Sequence, residues 1–257
     1  MNNYAITAFN VVFNCLLGYS AAVVIIVALL FRYKSEKAKR AFVAVFYFIA
    51  FLYFFYYKYM LSLDAEYSAI QYEIGNGGFS WYNELPLNLC NITLMITPIA
   101  MLFDSRLLKS FIFYISPIGA ALALLMPSAG FGGYSIFLPR VAGFYITHFA
   151  AFIAGPMIFT LGLYKPMFKD VLKCFMTFII IATVVFIINA VMRLTGINEY
   201  SNYFFLMYPD GNPILEMLYK YIPCPGLYVL PAGIAGFIPI MYIETIIFSI
   251  FRKKKTV

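Results

Sequence analysis

Seven apolar runs, each about as long as a bilayer core is thick, leave this chain few ways to fold. They occupy positions 10–31, 41–61, 86–103, 108–126, 141–164, 171–192 and 228–251. A helix of about twenty residues crosses a hydrocarbon core of about 30 Å. Lipid offers the backbone no hydrogen-bond partners, so a run of this kind is expected to satisfy its own as a helix. The predicted fold class is all-α: a polytopic membrane protein with seven transmembrane helices, in one integral membrane domain over residues 1–257.

Charge gives the runs a direction. The first run contains no Lys or Arg and is followed by Arg32, Lys34, Lys37, Lys39 and Arg40. Short basic loops stay on the cytoplasmic side, so the N-terminus is expected outside and the first run is read as a span, without the basic leader of a cleaved signal. The segment 62–85 carries Asp64, Glu66, Glu73 and Glu84 with no Lys or Arg, and reads as an outer, turn-rich loop around Gly75-Asn76-Gly77-Gly78. Arg106 and Lys109, then Lys165, Lys169 and Lys173, then Arg252 to Lys255 mark further inner ends. On this layout the inner segments hold 14 Lys/Arg and 3 Asp/Glu, the outer margins 4 and 7, and Glu244 stays within the membrane. The C-terminus is expected in the cytoplasm. Topology thus accounts for the net charge of +7, and no nucleic-acid partner is implied. No internal repeat supports the inverted-repeat plan of many transporters.

Chemistry concentrates where the third run begins, at Glu84-Leu85-Pro86-Leu87-Asn88-Leu89-Cys90-Asn91-Ile92. Proline suits the first turn of a helix, so the helix is expected to open at Pro86, with positions 88, 91 and 95 on one face. At 1.5 Å per residue, Cys90 lies roughly 9 Å below Glu84, and His148 roughly 12 Å below Arg140. Both helices run inward from the same side, so Cys90 and His148 are expected at similar depth. Asn189, near the outer end of the sixth run, reaches a comparable level. Asn88, Asn91, Thr93 and Thr147 add polar groups to what reads as an outward-opening cavity.

A thiol beside an imidazole is a nucleophile with its base, and a nearby amide can donate to a developing oxyanion. The alternative is a small cysteine in a helix interface and a histidine bonded to a neighbouring helix. Spacing alone leaves both open. Cys15 and Cys174 read as packing residues and Cys224 as a structural residue of an outer segment. Four scattered cysteines and a single histidine provide no metal-ligand pattern, so no metal or organic cofactor is implied. Glu244, about 12 Å from the inner face, suits either ion coupling or a neutral hydrogen-bonded role.

The pattern Leu85-Pro86-Leu87-x-Leu89-Cys90-x-Ile92 resembles the YwaF family of bacterial integral membrane proteins. His148 in Ile146-Thr147-His148-Phe149 agrees, as does the outer segment from Asn202-Tyr203-Phe204-Phe205-Leu206 through Pro209 to Pro223-Cys224-Pro225. Together these passages cover positions 85–250. Many members carry His at 88 and Asp at 91, where this chain has Asn at both. The family is similar to a vertebrate cysteine-dependent phospholipid acyltransferase and, more remotely, to androgen-induced intramembrane lipid hydrolases. The resemblance implies Cys90 as nucleophile and His148 as base; Asn88, Asn91, Asn189, Asn202 and Tyr203 are the expected substrate-binding residues. It implies membrane lipids, as phospholipid or other acyl esters, for partners, and a bacterial plasma membrane for location. The competing class is a small-molecule or ion-coupled transporter, or a lipid-binding membrane protein without catalysis, built around the same cavity and using Glu244.

Overall fold

The computed structural model describes residues 4–253 and divides the chain into two compact units, Met1–Lys165 and Pro166–Val257. All regular elements among the described residues are helical. In the first unit they are α1 (Val11–Leu30), α2 (Glu36–Ser62), α3 (Ala65–Glu73), α4 (Leu89–Leu102), α5 (Arg106–Leu125) and α6 (Pro139–Thr160). The second unit contains α7 (Phe168–Leu194), α8 (Pro213–Tyr221), a single helical turn α9 (Leu230–Ala232), a π-turn at Gly233–Phe237 and α10 (Ile238–Lys253). Among the described residues, six stretches are long and apolar enough to cross a membrane: α1, α2, α5, α6, α7 and Leu230–Ile250. The protein is a multi-pass membrane protein. Of its expected basic C-terminal end, Lys254 and Lys255 lie outside the described residues.

Caps set the helix starts. Asn10, Ser35, Asp64, Ser105 and Asn212 each accept a hydrogen bond from a first-turn N–H, which satisfies a donor the helix itself leaves unpaired. Helix α2 therefore begins at Glu36, well before the apolar run at 41, because hydropathy marks lipid depth and not helix ends. The outer loop 62–85 contains α3, nucleated by the Asp64 cap. The third run departs most from expectation. Its helix opens at Leu89 rather than Pro86, and Asn88 is the N-cap residue instead of a member of the helical face. At 14 residues α4 is a short apolar helix of about 21 Å, preceded by half-buried, non-helical chain at 83–88.

In the first unit, α6 packs against α1, α2, α4 and α5, and α2 also lies along α4. Close approach depends on two glycines of α6. A Cβ on Gly143 would fall 2.3 Å from Cβ of Tyr57 on α2, and one on Gly155 would fall 2.7 Å from the Phe113 carbonyl oxygen on α5. The core between them is aromatic, with Phe13, Phe54, Tyr57, Tyr67, Phe131, Phe144, Tyr145 and Phe149 all buried. Charges staple both ends. Arg140, only 1% exposed, bonds Asp64 at 2.6 Å, Glu66 at 2.8 Å and the Gly130 carbonyl at 3.0 Å. At the opposite end Asp104 pairs with Arg40 at 2.7 Å and with Lys109. The N-terminal segment pairs with the α5–α6 connection through Ile6 N–H to Tyr134 O, Gly133 N–H to Ile6 O and Ile136 N–H to Tyr4 O. Residues expected on one side of the membrane thus do share an end.

Candidate active site

Cys90 and His148 meet inside the first unit, with Sγ of Cys90 3.1 Å from Nε2 of His148. Helix position explains both partners. Cys90 is the second residue of α4. A thiol at a helix N-terminus lies where the peptide dipoles favour negative charge. His148 lies two turns into α6, below Arg140.

The tautomer of His148 follows from its other nitrogen. Nδ1 lies 2.7 Å from the Phe144 carbonyl oxygen, and a carbonyl only accepts, so Nδ1 carries the proton. Nε2 is then the free acceptor that faces the Cys90 thiol, the arrangement a general base requires. Stacking fixes the ring plane. Phe144 covers the imidazole at 4.1 Å between centroids, Phe131 stacks on Phe144 at 4.6 Å, and Tyr67 of α3 continues the series at 5.5 Å from Phe131.

Around the pair the chain is polar and buried. Asn91 places Oδ1 3.7 Å from the Cys90 sulfur. Thr93 donates to the Cys90 carbonyl at 2.7 Å, and Ser116 on α5 lies 3.1 Å from Thr93 Oγ1 while donating to Ala151 O on α6 at 2.7 Å. These bonds bind α4, α5 and α6 one turn below the thiol. Thr147 donates back to the Gly143 carbonyl at 2.7 Å within α6.

The sequence reading missed Lys58. It lies near the end of α2, is buried, and forms an ion pair with Glu84. Its ammonium rests 4.6 Å from the Tyr57 ring centroid. The second Glu84 oxygen accepts from Tyr67 Oη at 2.8 Å. Burial first, then the Glu84 charge, holds the Tyr67 phenol far above the ordinary tyrosine range, so it remains a donor. One signal for Lys58 was present in the sequence, a single cation inside the aromatic stretch Tyr53–Tyr59.

The remaining predicted residues separate into two groups. Asn88 and Asn91 flank Cys90 at the start of α4. Asn189, Asn202 and Tyr203 belong to the second unit and bond to one another's neighbourhood. Asn189 donates to Tyr203 O at 2.9 Å and accepts from Tyr203 N–H at 3.0 Å and Ser201 Oγ at 2.8 Å. Asn202 donates to Tyr208 O at 2.9 Å. Cys15 is exposed on α1, not packed as expected, whereas Cys174 is fully buried on α7. Glu244 on α10 has a buried carboxylate oxygen with no hydrogen-bond partner among the described residues. No three His, Cys, Asp or Glu side chains converge as a metal cage among the described residues.

A family model matches residues 8–243, and its description is the TMEM164 family. That match covers most of the chain, so the chain belongs to the TMEM164 family. No curated protein and no solved structure matches it.

Proposed function

We propose that this member of the TMEM164 family is an intramembrane acyl-transfer enzyme, a lipid acyltransferase or lipid hydrolase, with Cys90 as nucleophile and His148 as general base. The observation that carries the reading is the 3.1 Å approach of the Cys90 Sγ to Nε2 of His148. An ester lipid presents its carbonyl to Cys90. His148 takes the thiol proton, the sulfur–carbon bond forms, and the carbonyl electron pair moves to oxygen. Collapse expels the alcohol, which leaves with the proton from His148, and a thioester remains on Cys90. A lipid hydroxyl or water, deprotonated in turn by His148, then takes the acyl group and frees the thiol. The Asn91 side-chain amide, beside the sulfur, is the donor for the oxyanion. The likeness of the Cys90 motif to cysteine-dependent phospholipid acyltransfer supports the same chemistry. The short α4 is read as the seventh crossing element, with the N-terminus outside and the substrate arriving from the outer leaflet of a plasma membrane.

The test is activity-based labelling in lipid nanodiscs with an acyl-donor probe, comparing wild type with Cys90→Ala and His148→Ala. Labelling confined to Cys90 and weakened without His148 supports the proposal. An unlabelled Cys90, or labelling indifferent to His148, makes the pair structural.

A further inference from the structure

Lys58 is an unusual expense for a membrane helix. An ionised side chain away from water is costly unless it is paired, and those found at depth generally serve a function. Lys58 is 6% exposed, in a stretch that is otherwise Phe, Tyr and Leu. Its position is tightly determined. Tyr57, the preceding residue, fits against Gly143 without space for a single extra carbon, and Gly143 is little more than one turn before His148. Glu84, the partner of Lys58, lies six residues before Cys90. Residues 57 and 58 are thus wedged between the two segments that deliver the nucleophile and the base. Helix α2, which carries Lys58, packs against both α4 and α6, the helices of Cys90 and His148. Glu84 is held from the other side by Tyr67. An ammonium has three N–H bonds; Glu84 takes one and the Tyr57 hydroxyl another, so one donor remains for a substrate oxygen.

Building on the nucleophile reading above, we propose that Lys58 is the electrostatic catalyst of the site, donating to the acyl carbonyl oxygen as Cys90 attacks, with Glu84 as the positioning residue that aims it. Negative charge then passes from the thiolate to the oxyanion beside a fixed cation, in a region too dry for water to provide the same stabilisation. The substrate class follows from the geometry: a neutral carbonyl ester, whose charge appears only in the transition state.

A simple ion pair tying α2 to the chain before α4 would be equally buried, so the experiment separates charge from architecture. Full-length protein in nanodiscs is treated with p-nitrophenyl octanoate, and acylation of Cys90 is followed by nitrophenolate release and intact mass. Four further variants are compared with wild type: Lys58→Met, Lys58→Arg, the double variant Lys58→Met with Glu84→Gln, and His148→Ala. Thermal melting reports the fold. Lys58→Met is expected to slow acylation by about 100-fold, as loss of an oxyanion donor does. Lys58→Arg is expected to restore most of the rate. The double variant leaves no unpaired charge and is expected to melt like wild type yet stay slow. Recovery of the wild-type rate in the double variant, or an undiminished rate in Lys58→Met, overturns the role of Lys58. If His148→Ala acylates as fast as wild type, or wild type does not acylate at all, the nucleophile reading fails and Lys58 falls with it. Dependence on His148 without dependence on Lys58 refutes this inference alone.

Discussion

Cys90 and His148, 58 positions apart, meet at 3.1 Å because the start of α4 lies level with the third turn of α6. The imidazole reaches that point through its own helix, bonded to the Phe144 carbonyl and covered by the Phe144 ring. Its Nδ1 bonds a backbone carbonyl where many catalytic histidines bond a carboxylate. Phe144→Leu keeps the carbonyl and removes the stack, so the ring gains freedom without losing its tautomer. Small misplacements of reacting groups can cost about 10²-fold in rate. We expect Phe144→Leu to fold and to acylate Cys90 about tenfold more slowly, read in the same nitrophenolate assay. An unchanged rate would mean that the backbone bond alone positions His148.

The glycine at 143 makes the clearest packing prediction. A methyl there would lie 2.3 Å from the Tyr57 Cβ, whereas a methyl on Gly18 of α1 meets nothing within 4 Å. Overpacking typically costs about 1–3 kcal/mol, while Gly to Ala in an open helical position gains about 0.5–1 kcal/mol. Gly143→Ala should therefore melt lower than wild type and lose acylation as α2 moves away, and Gly18→Ala should melt no lower. Equal melting of the two variants would show that α2 yields freely.

How much of this was legible in the sequence depends on which interaction is in question. Lipid enforces helices on long apolar runs, so six of the expected spans appear as long apolar helices. Depth counting from Glu84 and Arg140 brought Cys90 and His148 level, although only the Arg140 count runs through helix, since the chain from Glu84 to Asn88 is not helical. A cap overrides hydropathy at the start of α2, where Ser35 accepts from the first turn, whereas α4 starts only after Asn88 without a side-chain capping bond. The Lys58–Glu84 pair was invisible for a different reason. Its partners are 26 residues apart on separate elements, and only tertiary packing decides whether a cation in an aromatic stretch faces lipid, water or a carboxylate.

Arg140 ties α6 to α3 through two carboxylates of unequal standing. Asp64 is mostly buried and also caps α3, whereas Glu66 is more than half exposed. Breaking a buried pair from one side costs about 3–5 kcal/mol, because a charge is left unpaired. Exposed pairs are worth about 0–1 kcal/mol. Asp64→Ala should lower the melting temperature strongly and Glu66→Gln barely. The reverse order in thermal denaturation would contradict the arrangement at this end.

At the opposite end, Asp104 gives a pH dependence. The Lys109 hydrogen bond first, then Arg40, holds its carboxyl below the usual range despite some burial. A carboxyl whose folded pKa is depressed stabilises the fold fully above its unfolded pKa, and loses that contribution as pH falls through the folded value. Asp104 is partly exposed, so solvent screening keeps the effect small. Melting temperature should decline modestly as pH drops below the ordinary aspartate range, and Asp104→Asn should flatten that decline while melting lower at neutral pH. A decline of the same size in the variant would assign it to other groups.

Glu244 decides between catalysis and transport. It belongs to α10 in the second unit, and one of its oxygens is buried without a hydrogen-bond partner among the described residues. Ion-coupled carriers use such intramembrane carboxyls to bind and release a proton or cation, and an amide of the same shape cannot do so. The acyl-transfer mechanism draws only on Cys90, His148, Lys58 and the start of α4, all in the first unit. Glu244→Gln should therefore acylate Cys90 at the wild-type rate. It should also melt no lower than wild type, because an amide carries no charge to desolvate. Loss of acylation in a well-folded Glu244→Gln protein would refute the independence of the acyl-transfer site from this carboxyl, and loss of solute transport with acylation intact would favour the transporter reading.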